Sequence, residues 1–259
     1  MGKKANYSTK DRQRWMELLE ILIAQPRTIV QARTYKSAWR TNAQPVLLRC
    51  NDGKDYVVKG QNAGRQIINE QIVARLGLLL GAPVVEPQIV EISAEFIEIE
   101  KNLAHIPAGT AHGSLYLEDC FHTRDLIATD EPKNRSRLSL MALLYGWVYA
   151  GDQQFLFKND PPRLIYSVDH GHFFPNGADW MVKDLVEIED AQIDPYLLSN
   201  CNFTSLEVRQ ALDALAKIHE EEIIRVVAYP PEEWDITINE RTMMIEYLIT
   251  RKESLLKLR

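Results

Sequence analysis

Four residues in this sequence, in one order, are of the types that transfer of a phosphoryl group requires. Lys59 ends an apolar run, and Glu70 follows in a segment with helical spacing. Asp152 comes directly after a glycine, and Asp169 ends a second apolar run that is also followed by a glycine. Such a transfer needs a cation on the phosphates, a carboxylate that positions this cation, a base near the acceptor hydroxyl and a metal ligand. The order of the four residues therefore predicts a phosphotransferase.

Each of these residues also has an ordinary structural interpretation. Lys59 could protect an exposed strand edge from unwanted pairing, and Glu70 could be a solvent-facing residue of a helix. Asp152 could belong to a common Gly-Asp turn, and Asp169 could be a polar residue at the end of a strand. The joint occurrence of all four favours the catalytic interpretation over four independent coincidences.

The elements that must position these residues follow from turn residues and hydrophobic spacing. Residues 46–50 and 55–59 flank an Asp-Gly turn, which predicts a β-hairpin that ends at Lys59. Residues 65–80 have the apolar spacing of a helix that stops at a glycine, and this helix would carry Glu70. A second strand pair brackets Pro161-Pro162 and would end at Asp169. The two strand ends and the helix are thus expected to converge on one site.

The other elements divide into a β-rich first part and a helical second part. A helix is expected over residues 8–24, further strands over residues 27–36, 87–93 and 95–99, and a helix from Ser136 to about Tyr149. S/T-x-x-E patterns at Thr204 and Thr237 predict the capping boxes of two long terminal helices.

This order predicts an α+β, two-lobed fold. An N-terminal helix occupies residues 1–26, a nucleotide-binding N-lobe of sheet plus one helix occupies 27–103, and a helical C-lobe with the catalytic and metal-binding loops occupies 104–259. The connector from His105 to Gly113 is the predicted hinge.

Composition restricts the class of protein. The 259 residues are 46% hydrophobic and 25% charged, as in ordinary globular proteins, and the net charge of −6 argues against a nucleic-acid partner. The sequence has no apolar run of the roughly 18 residues that a membrane span needs. No leader pattern is recognised at the N-terminus, which predicts a cytoplasmic location. The spacing of Cys50, Cys120 and Cys201 fits neither a zinc site nor a disulfide framework, so reduced thiols are expected.

Several segments of the chain resemble the HipA-like kinase family, a branch of the protein-kinase-like fold. The resemblance runs from about Ile29 to Phe174 and continues more weakly to the C-terminus. The segments that carry it are Asp55-Tyr56-Val57-Val58-Lys59-Gly60, the helix from Asn69 to Leu76, Gly81-Ala82-Pro83-Val84, the run from His112 to Leu117, and the run from Val168 to Phe174.

The resemblance implies a two-lobed, ATP-dependent phosphotransferase with ATP and Mg²⁺ as cofactors. It implies that Lys59 contacts the nucleotide phosphates and that Glu70 is its partner. It further implies that Asp152 is the catalytic base and that Asp169 is the magnesium ligand.

Two departures from the kinase pattern put turnover in question. Kinase-like catalytic loops have an asparagine five residues after the base, where it binds the second metal, but this position is Phe157. Either Gln154 or Asn159 could substitute for it, or one metal site is lost. The segment between Tyr35 and Val46 also lacks the glycines that let backbone N–H groups approach phosphates. Side chains would have to replace them, and the candidates are Ser37, Arg40 and Thr41.

Two functional hypotheses follow. The first is a kinase that transfers the γ-phosphoryl group of ATP to a Ser/Thr hydroxyl, with a protein as the acceptor. The second is a pseudokinase or regulatory nucleotide-binding module that acts through a partner protein without turnover, which the two departures support. Metal-dependent ATP consumption distinguishes them.

Overall fold

The first element of the chain packs on the C-terminal helices. In the structure, a computed structural model that describes residues 7–186 and 190–259, helix α1 (Thr9–Ile23) begins at a capping box of Ser8 and Asp11. The helix predicted over residues 8–24 is therefore confirmed. Its buried residues, among them Trp15 and Leu19, belong to the larger of two hydrophobic cores, where α1 contacts the last two helices of the chain.

A closed five-stranded barrel follows α1. Around the barrel the strand order is first, second, third, fifth and fourth, and parallel pairing of Ile29 with Ile89 closes it. Its interior is a separate core of valine, isoleucine and leucine side chains. The elements of this lobe are β1 (Ile29–Ala38), β2 (Val46–Cys50), β3 (Asp55–Lys59), α2 (Gln66–Leu80), β4 (Pro87–Ile92), α3 (Ala94–Ile99) and β5 (Gly109–Leu115).

Two expectations for this lobe were wrong. Residues 95–99 form helix α3 rather than a strand, because the Ser93 hydroxyl accepts from Phe96 N and caps a helical turn. The predicted hinge between His105 and Gly113 instead contains most of β5, which pairs with both β3 and β4. The sheet therefore extends beyond residue 103, where the N-lobe was expected to end, to Leu115. The small residues of β5 weaken its strand pattern, and Gly113 is required because a Cβ there would lie 2.6 Å from Val90.

The second lobe combines one small sheet with helices. Strands β6, β7 and β8 form an antiparallel sheet in that order, and both predicted capping boxes, at Thr204 and Thr237, are present. Helix α4 begins at Pro132 rather than at Ser136, since proline is favoured in the first turn. The elements are β6 (Cys120–Thr123), α4 (Pro132–Val148), β7 (Gln154–Lys158), β8 (Ile165–Val168), α5 (Val182–Val186), α6 (Pro195–Cys201), α7 (Ser205–Ala216), α8 (Glu220–Ala228) and α9 (Ile238–Leu256).

Helix α2 is held by both lobes. It packs on β4 and β5 on one side and on α4 and α8 on the other. The guanidinium of Arg75 lies 3.2 Å from the centroid of the Tyr229 ring, and Arg65 forms an ion pair with Glu240 at the start of α9. The position of α2 is thus determined by contacts with the C-terminal helices as well as by the barrel. Within the described residues, no helix combines the length and apolar character needed to cross a membrane.

Candidate functional site

The predicted lysine, glutamate and second aspartate meet between the lobes. Lys59 Nζ lies 2.6 Å from Glu70 Oε1 and 2.6 Å from Asp169 Oδ1. Lys59 comes from the end of β3, Glu70 from the middle of α2 and Asp169 from the residue after β8. Lys59 is only 7% exposed and Glu70 only 2%. Neither is therefore a surface residue, as the ordinary interpretations would require.

Burial and charge together set the ionisation of this pair. Burial disfavours the charge on Lys59, but the carboxylates of Glu70 and Asp169 outweigh it and raise the pKa of Lys59 above its ordinary value. Burial alone would likewise raise the pKa of Glu70, but the charge on Lys59 lowers it well below its usual range. The pair is therefore ionised throughout the ordinary pH range.

Two buried histidines flank Glu70. The backbone N–H of His170 donates to Glu70 Oε2 at 3.0 Å, and His112 Nε2 lies 3.9 Å from the same oxygen. Burial lowers the pKa of His112 to about 4 and also lowers that of His170. His112 contacts Gln71 Nε2 at 3.0 Å and Ser114 Oγ at 2.9 Å. Both imidazoles are thus neutral near pH 7 and act as packed hydrogen-bonding groups. We refer to Lys59, Glu70, His112 and His170 as the inner half of the site.

Asp169 leaves its strand in a left-handed backbone conformation. Its φ and ψ are 58° and 61°, a region that aspartate tolerates better than most residues. Its side chain is 37% exposed. This conformation ends β8 and leaves the carboxylate at the boundary between the buried cluster and solvent.

A single amide connects Asp169 to Asp152. Gln154 Nε2 donates to Asp169 Oδ2 at 3.0 Å and to Asp152 Oδ2 at 3.2 Å. Its Oε1 lies 2.7 Å from His122 Nε2, which comes from the neighbouring strand β6. Gln154 is the first residue of β7, directly beside the turn that carries Asp152. Of the two substitutes for the missing asparagine, the structure therefore brings Gln154 to the two carboxylates.

Asp152 lies on the open side of the site. It has a positive φ of 47°, and its side chain, 35% exposed, forms a 2.9 Å ion pair with Arg124, whose side chain is 66% exposed. We refer to Asp152, Gln154, His122 and Arg124 as the outer half of the site. Its members are accessible to solvent, unlike the inner half.

Phe157 and Asn159 lie away from these carboxylates. Phe157 is fully buried in β7, with its ring centroid 5.9 Å from that of Phe121. Asn159 follows β7 at the far end, where its N–H donates to Asp119 O. Phe157 is therefore a core residue, and the alternation of side chains along β7 directs it away from the face that carries Gln154.

The three residues predicted to replace a glycine-rich loop lie on the N-lobe, where Thr41, like Arg40, is exposed. Ser37 is opposite Leu47 in the strand register, Leu47 is opposite Val57, and Val57 shares a face of β3 with Lys59. Ser37 thus lies on the barrel face that looks toward Lys59. Arg40 is exposed in the connection between β1 and β2. Across residues 7–186 and 190–259, no hydrogen bond or ion pair joins any of the three to the inner or outer half.

Sequence reasoning missed several residues of the site. His122 lies in the short strand β6 and Arg124 directly follows it, in a segment without a distinctive pattern, and only the pairing of β6 with β7 brings them close. Asn69 and Gln71 could have been found from their position in the sequence. They flank Glu70, and three consecutive polar residues in an apolar helix cover more than half of its circumference, so that some of them must be buried. His170 and His172 lie in a 3₁₀ turn, with His170 buried and His172 exposed.

The protein ligands available for a metal are few. In the described part of the chain, no group of three or more His, Cys, Asp or Glu side chains is arranged to hold a metal ion. The site offers the carboxylates of Asp169 and Asp152 and the amide of Gln154. Such a set fits a cation that takes only one or two carboxylates from the protein and its other ligands from phosphates and water, as Mg²⁺ does in nucleotide sites.

Comparison with known proteins agrees with this geometry. A family model described as HipA-like kinase matches residues 33–258. The crystal structure of the Helicobacter pylori proinflammatory kinase CtkA is similar, with a TM-score of 0.58 at 11% identity over 86% of this chain and 92% of that one. At such low identity the similarity shows the fold alone.

Two structures of the Golgi casein kinase, one with Mn/ADP bound, give TM-scores of 0.49 at 13% and 14% identity, over 98% of this chain and 78% of theirs. Scores this low carry no conclusion about this chain. No curated protein matches the sequence significantly.

The predicted fold class is therefore confirmed: the chain has the α+β fold of kinases. The family match includes all the residues of the inner and outer halves and most of the sequence. The chain belongs to the HipA-like kinase family.

Proposed function

We propose that this protein is a kinase that transfers the γ-phosphoryl group of ATP to a serine or threonine hydroxyl, with a protein as the acceptor. The observation that carries the proposal is the placement of Lys59 between Glu70 and Asp169, at 2.6 Å from each. A buried ammonium held by a helix carboxylate next to a partly exposed aspartate is the arrangement by which kinases hold nucleotide phosphates.

Apolar side chains support a nucleotide in the same cleft. Val57 shares the barrel face of Lys59, and its cross-strand neighbour Leu47 belongs to neither hydrophobic core. From the other lobe, Leu156 and Val168 lie on the sheet face that carries Gln154 and are only half-buried. Apolar surfaces on both walls of a cleft suit a flat purine base. Ser37, on the same face, would donate to the triphosphate, and Arg40 would add a positive charge near its outer end.

The residues present also fit a magnesium ion bound together with the nucleotide. Asp169 and Gln154 would hold it, with phosphate oxygens as the remaining ligands. Bound there, the ion would neutralise the charge that develops on the phosphates. The Gln154 amide would then present its oxygen instead of its nitrogen, and His122 Nε2 would accept from the amide nitrogen, with the imidazole proton on Nδ1.

The chain's own residues account for the transfer. Lys59, oriented by Glu70, would bind phosphate oxygens. Asp152 would orient the acceptor hydroxyl and accept its proton as the hydroxyl oxygen bonds to the γ-phosphorus and the bond to the β,γ-bridging oxygen breaks, which releases ADP. Arg124 pairs with Asp152 in the free protein, and its exposed side chain can move aside when an acceptor enters.

The proposal is tested by Mg²⁺-dependent ATP binding and phosphoryl transfer, measured on the wild type, Asp169→Ala and Asp152→Ala. We expect transfer to a protein acceptor or to the kinase itself in the wild type and its loss in both variants. Nucleotide binding should weaken in Asp169→Ala and persist in Asp152→Ala. Transfer that continues in Asp152→Ala would show that this residue is not the base.

A pseudokinase is the second candidate, and one observation favours it. Phe157 is a fully buried core residue at the position where kinases place a metal-binding asparagine. This alternative predicts saturable ATP binding without turnover in the wild type under every metal tested. If an isotopically labelled γ-phosphate stayed on the nucleotide, the protein would be a pseudokinase.

A further inference from the structure

Asn69 precedes Glu70 on α2 and is fully buried, yet the roles proposed above do not use it. Its Nδ2 donates to the carbonyl oxygens of Gly171 at 2.8 Å, Phe173 at 3.0 Å and Gly177 at 3.1 Å. Its Oδ1 accepts from Trp180 Nε1 at 2.8 Å. One side chain thus contacts four polar groups of the segment that follows Asp169, and the two amide hydrogens are shared among three carbonyls.

This segment, residues 169–180, also packs closely on α2. A Cβ added to Gly171 would lie 3.0 Å from Gln66 Cβ, and the Arg65 guanidinium lies 4.4 Å from the centroid of the Trp180 ring. The Glu70 carboxylate accepts from His170 N in the same segment. We call residues 169–180 the metal-ligand loop, because they begin at Asp169.

The contacts of Asn69 and Glu70 belong to one rigid helix. A rotation or shift of α2 that broke the Lys59–Glu70 pair would also move Asn69 and leave the buried carbonyls of Gly171 and Phe173 without their donor. Such a loss would add to the cost of breaking the pair, because unsatisfied buried polar groups bear the full desolvation penalty. The positions of α2 and of the metal-ligand loop are therefore linked.

We propose that Asn69 is a positioning residue that locks the metal-ligand loop onto α2, so that Asp169 is presented to the cleft only while Lys59 and Glu70 are paired. The inference rests on the proposed function, in that Asp169 is taken as the metal ligand. In this proposal one buried amide, on a helix of the N-lobe, orders a loop that begins in the C-lobe.

The chain contains a matched control for this residue. Asn134 is also fully buried, its Nδ2 donates to Ala128 O at 3.1 Å and Arg163 O at 3.0 Å, and its Oδ1 accepts from Ile165 N at 3.1 Å. It fixes the opposite end of β8. Asn69→Ala and Asn134→Ala should therefore lower the melting temperature similarly, but only the first should release the metal-ligand loop.

The experiment measures two quantities on both variants and the wild type. Hydrogen exchange by mass spectrometry of peptides within residues 169–180 should become about 10-fold faster in Asn69→Ala and change less than about 2-fold in Asn134→Ala. The affinity for Mn²⁺ in the presence of a non-hydrolysable ATP analogue should fall roughly 10- to 100-fold in Asn69→Ala alone, as when outer partners of metal ligands are removed.

A milder pair of variants covers the case in which Asn69→Ala does not fold. Trp180→Phe removes the donor to Asn69 Oδ1 but keeps an aromatic ring, whereas Trp147→Phe removes the equivalent donor to Leu248 O at 2.8 Å elsewhere in the C-lobe. Only Trp180→Phe should speed exchange in residues 169–180.

Equal exchange in the paired variants would overturn the role of Asn69, whatever the metal affinity. If wild-type protein binds no Mn²⁺–nucleotide, the proposed function fails instead, and the exchange comparison still decides whether Asn69 holds the loop.

Discussion

The inner and outer halves of the site meet at Asp169 but differ in almost every physical respect. In the inner half the side chains of Lys59 and Glu70 are 8% and 3% exposed, and each charge has a buried partner. In the outer half the side chains of Asp152 and Arg124 are 35% and 66% exposed, and their ion pair is open to water. The inner half is buried and positioned by α2, whereas the outer half is exposed to solvent and joined to Asp169 by the Gln154 amide.

This difference in burial suits two separate tasks in phosphoryl transfer. Charges that must meet phosphates in one geometry gain from burial, because the low local dielectric strengthens their interactions and their orientation is set in advance. Groups that must admit an exchangeable acceptor gain from exposure, since a weak surface ion pair is easily opened. The inner half should therefore contribute to stability and activity together, and the outer half to activity alone.

Removal of the inner ammonium should have the largest combined effect, because it lowers activity and stability together. In Lys59→Met we expect phosphoryl transfer to fall roughly 100- to 1,000-fold, because the cation on the phosphates is lost. The free energy of unfolding should fall by about 3–5 kcal/mol, because Glu70 is left as an unpaired buried charge. Transfer assays and urea unfolding measure the two quantities.

Lys36→Met is the matched control for this lysine. Lys36 also forms an ion pair, with Asp55, but its side chain is 37% exposed and Asp55 keeps Arg49 as a second partner. Its loss should cost less than about 1 kcal/mol. If Lys59→Met were as mild, the inner half would not be a fixed, buried unit.

Asp152→Asn tests whether the outer half contributes to activity without contributing to stability. Transfer should fall roughly 100- to 10,000-fold, because the amide cannot accept the proton of the acceptor. The free energy of unfolding should stay within about 1 kcal/mol of the wild type, since the replaced charge has only a surface partner. A large loss of stability in urea would contradict the division between the halves.

The inner half also predicts a dependence of stability on pH. The pKa of His112 is lowered to about 4 by burial, so between pH 6.5 and 4 the unfolded chain binds a proton at this residue that the folded chain does not. Stability should therefore fall as the pH falls through this window, by roughly 3 kcal/mol from this residue. Urea unfolding at several pH values, compared between wild type and His112→Gln, measures the contribution. Parallel curves for the two proteins would show that His112 is not the source.

The smallest effects are expected where the N-lobe replaces the missing glycines. Ser37→Ala should weaken ATP binding roughly 2- to 10-fold, the value of one hydrogen bond. Arg40→Ala should weaken it by a similar factor that shrinks at high salt, because the residue is exposed. Arg33→Ala, an exposed arginine elsewhere on β1, is the control and should leave calorimetric affinity unchanged. Equal effects of Arg40→Ala and Arg33→Ala would indicate a general charge effect rather than a contact of Arg40 with the nucleotide. No effect of Ser37→Ala would show that its hydroxyl does not bind the triphosphate.

Local patterns in the sequence were sufficient for much of the fold. The Asp-Gly turn determined the hairpin that ends at Lys59, apolar spacing and Gly81 determined α2, and the S/T-x-x-E patterns determined the starts of α7 and α9. These signals act over a few neighbouring residues, so they can be recognised in the sequence without the tertiary structure. The strand β5 was misread because its small residues leave its formation to pairing with neighbouring strands. Helix α3 was misread because the alternation of residues 95–99 was followed rather than the cap at Ser93.

For the site, the sequence by itself supplied the residue types, their order and the elements that carry Lys59, Glu70, Asp152 and Asp169. Only the tertiary structure decided which groups meet: that Gln154 rather than Asn159 reaches the carboxylates, that Arg124 pairs with Asp152, and that Asn69 binds the loop after Asp169. The physical reason is that hydrogen bonds and ion pairs act over about 3 Å, and the partners that come within this distance belong to strands and helices far apart in the chain.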